Sequence, residues 1–427
     1  MITLNQIKYG SLSILISSFL LFKFQIQLNI FYSILSTLCI IILISLYLFY
    51  RFKNFLKRAG YISEWHDLYG EKYINLPYYK DDKIINSFKK DGINYNKKIG
   101  EINEGKDYEK NNRNYYDLFI PYSTLKRKDK NNGVILFIHG GGWQFGKKEY
   151  TEYLTARYAK YGYITPQLNY IYLSKKDKKC NIFKILDEIT SCLESVKEKL
   201  KNLGFNENKL ELAIGGGSAG AHLSLLYGYS IKNIPIPLKF LINFVGPLSL
   251  EPKFWCKLAK NVPTLDSIER RDIEKGIKEK KIVGFYDDEF NLLNFMNIFL
   301  QDKYSDKELK EILVNKKIDL NNEKYKKMEN ILKYAYPINF VNKNSVPTLC
   351  IYGGDDSLIG IAHYSFLKQL SEQYGNKVEL VYMKNGGHAL GDYETENGKN
   401  ALREMHYQIL NFAKNYFDID NWRNSVH

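Results

Sequence analysis

From residue 115 onward, short apolar runs alternate with amphipathic stretches of helical period, which predicts a mainly parallel sheet covered by helices. The predicted strands are 115–121, 134–139, 163–170, 210–215, 240–245, 348–352 and 378–383. Helices are predicted over 149–161 and 182–203. The second carries Ile182, Ile185, Leu186, Ile189, Leu193, Val196 and Leu200 at helical spacing. A last helix is predicted over 400–416. Between 250 and 336 the alternation lapses into a Lys-rich, helix-prone insertion holding Phe254, Trp255, Phe285, Phe290, Phe295 and Phe299. An insertion of that length between strands usually caps a site. The same aromatics would equally serve a small core of their own.

The amino-terminal pattern is different. Residues 30–50 form a stretch of about twenty positions without a charge, long enough to cross a hydrocarbon core of roughly 30 Å. A shorter run at 11–22, closed by Lys23, would form the first leg of a helical hairpin. A cleaved signal peptide is the competing reading, since Lys8 precedes an apolar run, but no small-residue cleavage site follows. Arg51, Lys53, Lys57 and Arg58 follow the longer run directly, and the positive-inside rule assigns such a cluster to the cytosolic face. The expected organisation is a membrane anchor of one or two transmembrane helices over 1–52, a polar connector over 53–113 and an α/β domain over 114–427, with its cap at about 251–336. Localisation is expected to be integral to a membrane, with the α/β domain in the cytosol.

Composition adds limits. At 427 residues, 45% hydrophobic and 25% charged, the chain has ample material for one large core, and wholesale disorder is excluded. The net charge of +14 comes from Lys spread along the whole chain. No basic stripe stands beside a nucleic-acid motif, so nucleic acid is not expected as a partner; an anionic lipid bilayer surface uses such charge better. The five cysteines, Cys39, Cys180, Cys192, Cys256 and Cys350, form no CxxC pair and read as buried thiols in a reducing compartment.

Chemistry enters with four glycine-rich motifs. Residues 212–222 read Leu-Ala-Ile-Gly-Gly-Gly-Ser-Ala-Gly-Ala-His, with Ser218 between Gly216 and Gly220 at a strand-to-helix junction. This is the pattern of a nucleophile elbow, in which flanking glycines let neighbouring backbone pass a strained serine. Upstream, His139-Gly140-Gly141-Gly142-Trp143 follows an apolar strand. The N–H groups of Gly141, Gly142 and Ala219 are the expected oxyanion donors. A serine needs a base and an orienting carboxylate. Gly353-Gly354-Asp355-Asp356-Ser357 and Gly386-Gly387-His388 supply them, each just past a predicted strand. The spacing Gly-x-x-Asp favours Asp356, with Asp355 as the alternative. His388 is the expected base. His222, His363 and His406 fall on predicted helices and read as structural or exposed, while His66 and His427 lie outside the sheet pattern.

Taken in order, HGGGW, GGSAG, GGDDS and GGH resemble the α/β-hydrolase superfamily, nearest to serine esterases and lipases with an HGGG loop, of feruloyl-esterase-like or hormone-sensitive-lipase-like type. The resemblance spans about 115–417. It implies an eight-stranded, mostly parallel sheet, a Ser218, Asp356, His388 triad, and neither metal nor organic cofactor. It also implies hydrolysis of a small-molecule or lipid ester through an acyl-enzyme. Gly217 stands where many lipase-like relatives carry an acid before the nucleophile, which argues against the hormone-sensitive-lipase subgroup. HGGGW and Asn169-Tyr170 are also similar to isoprenylcysteine methylesterases and arylformamidases, so an amide or prenylcysteine ester bond is an alternative. A silent hydrolase fold serving as a membrane interaction module is a further one.

Overall fold

All seven residues of the strand Asn132–Ile138 are buried, so both faces of the sheet are covered at its centre, as a parallel sheet between helices requires. The computed structural model describes residues 70–78, 114–173, 180–255, 289–356, 358–391 and 395–418, with scattered positions between 17 and 47. The strands of the main sheet are β1 (Gly70–Pro77), β2 (Tyr115–Pro121), β3 (Asn132–Ile138), β4 (Thr165–Leu168), β5 (Leu210–Gly217), β6 (Leu238–Phe244), β7 (Thr348–Gly353) and β8 (Val378–Met383). Their order across the sheet is β1-β2-β4-β3-β5-β6-β7-β8. β1 and β2 are antiparallel to their neighbours, and from β4 to β8 every pairing is parallel. This is an α/β-hydrolase-like arrangement.

The longer helices are α1 (Glu152–Lys160), α2 (Ile182–Asn202), α3 (Ala219–Ser230), α4 (Glu289–Phe299), α5 (Glu323–Leu332), α6 (Ala362–Gln373) and α7 (Glu396–Tyr416). The stripe predicted on α2 is the buried one, with Ile185, Leu186, Ile189, Leu193, Val196 and Leu200 all sealed from solvent. Asn181 starts this helix by accepting from the N–H groups of Phe183 and Lys184, both at 3.1 Å. Such a cap stabilises a helix by about 1 kcal/mol. Helices α4 and α5 belong to the insertion, whose residues 256–288 lie outside the described ones.

β1 falls inside the stretch expected to be a connector. Its pairing with β2 shifts register between Tyr73 and Leu76, with Asn75 at φ 52. That bulge breaks the two-residue alternation by which a strand is recognised.

The membrane expectation is overturned. Among the described residues no helix is long and apolar enough to cross a membrane. The transmembrane helices at 11–22 and 30–50, and the integral-membrane localisation built on them, are therefore not supported; many positions of both runs lie outside the described residues. The chain divides into Met1–Arg58 and Ala59–His427, and the sheet and helices above belong to the second unit.

His222, His363 and His406 are all buried. Burial pushes His222 down to about 4, and His363 and His406 down to about 3. The unfolded chain, with ordinary values near 6.5, therefore takes up protons that the folded chain refuses. Their contribution is complete above about pH 6.5 and is lost as pH falls toward 4. By pH 5 each should cost about 2 kcal/mol. Glu329, held up to about 7 by burial and by Glu251, acts in the opposite sense and offsets about one of the three. The urea midpoint should thus drop between pH 7.5 and pH 5; a flat or rising midpoint would contradict neutral burial of these imidazoles.

Candidate active site

β5 runs directly into Ser218, and α3 begins at the next residue. Ser218 holds φ 54 and ψ −119, a conformation that costs an L-residue on the order of 1–3 kcal/mol and persists only where its surroundings enforce it. The enforcing contacts are local. The Ser218 N–H donates to the carbonyl of Phe244 at 2.8 Å, and its own carbonyl accepts from the N–H of His222 at 3.0 Å. A Cβ on Gly220 would collide with the carbonyl oxygens of Ile138 and His139, so the first turn of α3 lies hard against the end of β3. A Cβ on Gly217 would meet nothing within 4 Å.

The HGGGW loop leaves β3 at that crossing. The His139 ring is fully buried, stacks on Tyr170 with centroids 4.3 Å apart, and places Nδ1 2.7 Å from the carbonyl of Gly140. Tyr170 donates its hydroxyl to the His139 carbonyl at 3.1 Å. Gly141 takes φ 124, and its carbonyl accepts from the N–H groups of Gln144 and Phe145 at 3.1 and 3.0 Å. Among the described residues, no acceptor meets the N–H of Gly141, Gly142 or Ala219. Beyond the loop, buried Lys148 bonds Asp117 at 2.9 Å and Glu149 at 2.8 Å through Nζ, and its N–H donates to Asn169 Oδ1 at 2.8 Å. The end of the loop is thereby tied to β2 and to the exit of β4.

The two acids left open by the spacing are separated by their partners. Asp356 is buried; its Oδ2 lies 2.9 Å from His388 Nδ1, and its Oδ1 accepts from the N–H groups of Leu358 and Ile359 at 2.8 and 3.0 Å. Asp355 instead gives its backbone N–H to the carbonyl of Gly386 at 2.9 Å. Asp356 is thus the acid that meets the histidine. The His388 side chain keeps 27% of its surface exposed.

Ser218, His388, Gly141 and Gly142 line one cavity of about 450 Å³. Asp356 stands behind His388, and Ala219 is buried at the first turn of α3 rather than on the cavity wall. The wall is otherwise mostly apolar or aromatic and includes Trp143, Tyr153, Val245, Phe295, Leu358 and Leu390. Among the described lining residues there is no Asp, Glu, Lys or Arg. Sequence reading missed Val245, Leu358 and Leu390, although each lies within a few residues of a strand's carboxyl end. Four non-glycine residues with positive φ, Trp143, Ser218, Val245 and Leu390, face this one cavity. Strain concentrated in that way marks a functional site; for β-branched Val245 it is a genuine outlier. Among the described residues, no group of three His, Cys, Asp or Glu stands together as a metal site.

Residues 117–370, more than half of the chain, match the family described as BD-FAE. The chain belongs to the BD-FAE family. This is an α/β-hydrolase esterase family, and the protein is a carboxylic ester hydrolase. No curated protein matches this BD-FAE member. Among solved structures it is similar to a truncated carbohydrate esterase from gut microbiota, at 15% identity over 80% of this chain and 98% of that one, with a TM-score of 0.47. It is similar to a propionate-bound esterase of the Planctomycetes species Thermogutta terrifontis, at 15% identity over 72% and 92%, TM-score 0.46. A third likeness is to an arylesterase, at 14% identity over 86% and 92%, TM-score 0.47.

The elbow geometry predicts opposite outcomes for two neighbouring glycines. Gly220→Ala forces a Cβ into the backbone of β3 and should lower stability by about 3 kcal/mol, read as a lower urea midpoint or loss of folded protein. Gly217→Ala should leave that midpoint within about 0.5 kcal/mol of the parent. Equal effects at the two positions would disprove the close approach of α3 to β3.

Proposed function

We propose that this BD-FAE member hydrolyses uncharged, apolar carboxylic esters through an acyl-enzyme on Ser218. The observation that carries the reading is the Asp356–His388 contact of 2.9 Å at a cavity whose wall also holds strained Ser218. His388 takes the Ser218 proton as Oγ attacks the acyl carbon. Asp356 holds the imidazole in one tautomer and stabilises the imidazolium. The N–H groups of Gly141, Gly142 and Ala219, which meet no acceptor among the described residues, receive the charge that develops on the carbonyl oxygen. His388 then gives its proton to the leaving alkoxide, and water releases the acid by the same route.

Substrate class follows from the wall. A cavity of about 450 Å³ suits a small organic ligand. With no charged side chain among its described lining residues, it would bury a charged substituent without a partner, at a cost of several kcal/mol. Trp143, Phe295, Leu358 and Leu390 favour an aliphatic or aryl acyl group.

A p-nitrophenyl ester series tests both parts. kcat/KM should rise from acetate through butyrate to hexanoate, while an ester bearing a free carboxylate should react at least a hundredfold more slowly. Ser218→Ala should abolish turnover and labelling by a fluorophosphonate, and Asp356→Asn should lower kcat by about 10⁴. Labelling that survives Ser218→Ala would remove Ser218 from its role, and equal rates on the charged ester would refute the substrate class.

A further inference from the structure

The helix that follows Ser218 carries one histidine, His222, whose two ring nitrogens are both committed. We propose that His222 is a positioning residue that locks the HGGGW loop, and with it the oxyanion donors, to α3 and to the returning end of the insertion. It rests on reading Gly141 and Gly142 as those donors.

His222 is one turn beyond Ser218 and sealed from solvent. Trp143 donates its indole Nε1–H to His222 Nδ1 at 3.3 Å. An indole nitrogen only donates, so Nδ1 carries the lone pair and the ring proton sits on Nε2. Nε2 in turn lies 2.8 Å from the carbonyl of Ala335, to which it donates. Only one neutral tautomer satisfies both contacts, which accords with the downward push that burial exerts on this imidazole. One side chain thus joins three segments: the helix that starts at the nucleophile, the loop with the oxyanion glycines, and residue 335, where the insertion returns to the sheet. Ile338 of that returning segment donates its N–H to the carbonyl of Leu248 at 3.3 Å, on the outgoing one.

Trp143 is the residue through which this anchoring reaches the loop. It directly follows Gly141 and Gly142 and takes φ 62. Its carbonyl accepts from the N–H of Leu173 at 2.9 Å. Its ring packs edge-on against His222 and Phe299, with centroids 5.1 and 4.6 Å away. A left-handed, bulky residue after three glycines is held by its side chain as well as by its carbonyl, because glycines add little stiffness of their own. Without the Nε1–H contact to Nδ1 the turn can rotate, and the aim of the Gly141 and Gly142 N–H groups goes with it. Transition-state stabilisation is sensitive to such small misplacement.

Two isosteric changes divide the functions of His222. His222→Asn keeps an acceptor near the Nδ1 position and loses the reach to Ala335; His222→Gln keeps a donor near the Nε2 position and loses the acceptor for Trp143. Trp143→Phe removes the indole donor and keeps a ring. With p-nitrophenyl butyrate, His222→Gln and Trp143→Phe should each lower kcat about tenfold to a hundredfold, less than outright loss of an oxyanion donor, with KM changed less than threefold. The double variant should be no slower than the slower single one, and His222→Asn should recover most of kcat. Additive losses, or His222→Asn as slow as His222→Gln, would overturn the proposal. If His222→Gln does not fold, Trp143→Phe decides: unchanged kcat overturns the proposal, and the expected fall supports it. Titrating each variant with a fluorophosphonate counts intact Ser218 sites. A full site count with unchanged kcat therefore sinks the positioning role alone, whereas labelling that persists in Ser218→Ala sinks the nucleophile reading beneath it.

Discussion

The carbonyl oxygens of Ile138 and His139 pass so close to Gly220 that no side chain fits between them, and the geometry of the site follows from that crossing. Ile138 is the last residue of β3, and the glycine loop begins two residues later. Gly220 is the second residue of α3, two beyond Ser218. One backbone contact therefore sets the separation between the serine and the loop, and it does so through parts that neither flex as side chains do nor change rotamer. β3 and β5 are hydrogen-bonded neighbours from Asn132–Leu210 to Ile138–Gly216, so seven consecutive residue pairs brace the crossing before the two chains diverge. The strained torsion of Ser218 survives because backbone on both sides leaves it no relaxed alternative.

The polar groups at the site illustrate two solutions to burial. Asp356 is taken out of water with three hydrogen-bond partners, two backbone N–H groups and the His388 ring, as a buried polar group requires. His222, His363 and His406 are solved the other way, as neutral rings held by burial. The proposed base differs from these in both respects: it has a carboxylate on one nitrogen and a quarter of its side chain open toward the cavity side. An imidazole that must gain and lose a proton in each turnover needs that combination.

Sequence patterning located the sheet from β2 to β8 and the long helices because their faces are buried on a regular period. Tyr115–Pro121 and Val378–Met383 have their predicted bounds, no other strand boundary moved by more than about two residues, and the helices predicted from 149 and 400 begin at Glu152 and Glu396. β1 was illegible for a physical reason, since its bulge at 73–76 erases the alternation. The long apolar run at 30–50 was legible as composition only: hydropathy reports that a segment avoids water, and among the described residues no helix is long and apolar enough to cross a membrane. Of the site, the residues whose chemistry demands a rare local motif were visible, namely Ser218, Asp356, His388 and the loop glycines. The wall residues were not. Val245 and Leu390 are ordinary aliphatics whose importance lies in a backbone torsion, and no single sequence reports φ. His222 was visible as a residue and invisible as a contact, because Trp143 and Ala335 are brought to it only by the fold.

The same short loops supply both the chemistry and the walls. Leu358 and Ile359 give their N–H groups to Asp356 and their side chains to the cavity; Leu390 stands two residues past His388 and lines it too. A substrate that presses on Leu358 therefore presses on the carboxylate's own hydrogen-bond donors, and one that displaces Leu390 strains the segment that carries the histidine. Specificity and catalytic geometry cannot vary independently in such a site. The exception is Gly217, next to the serine, which lines the cavity and where an added Cβ meets open space. Pocket shape can be changed there with little disturbance to the proposed triad, whereas changes at 358 or 390 alter shape and the Asp356–His388 pair together.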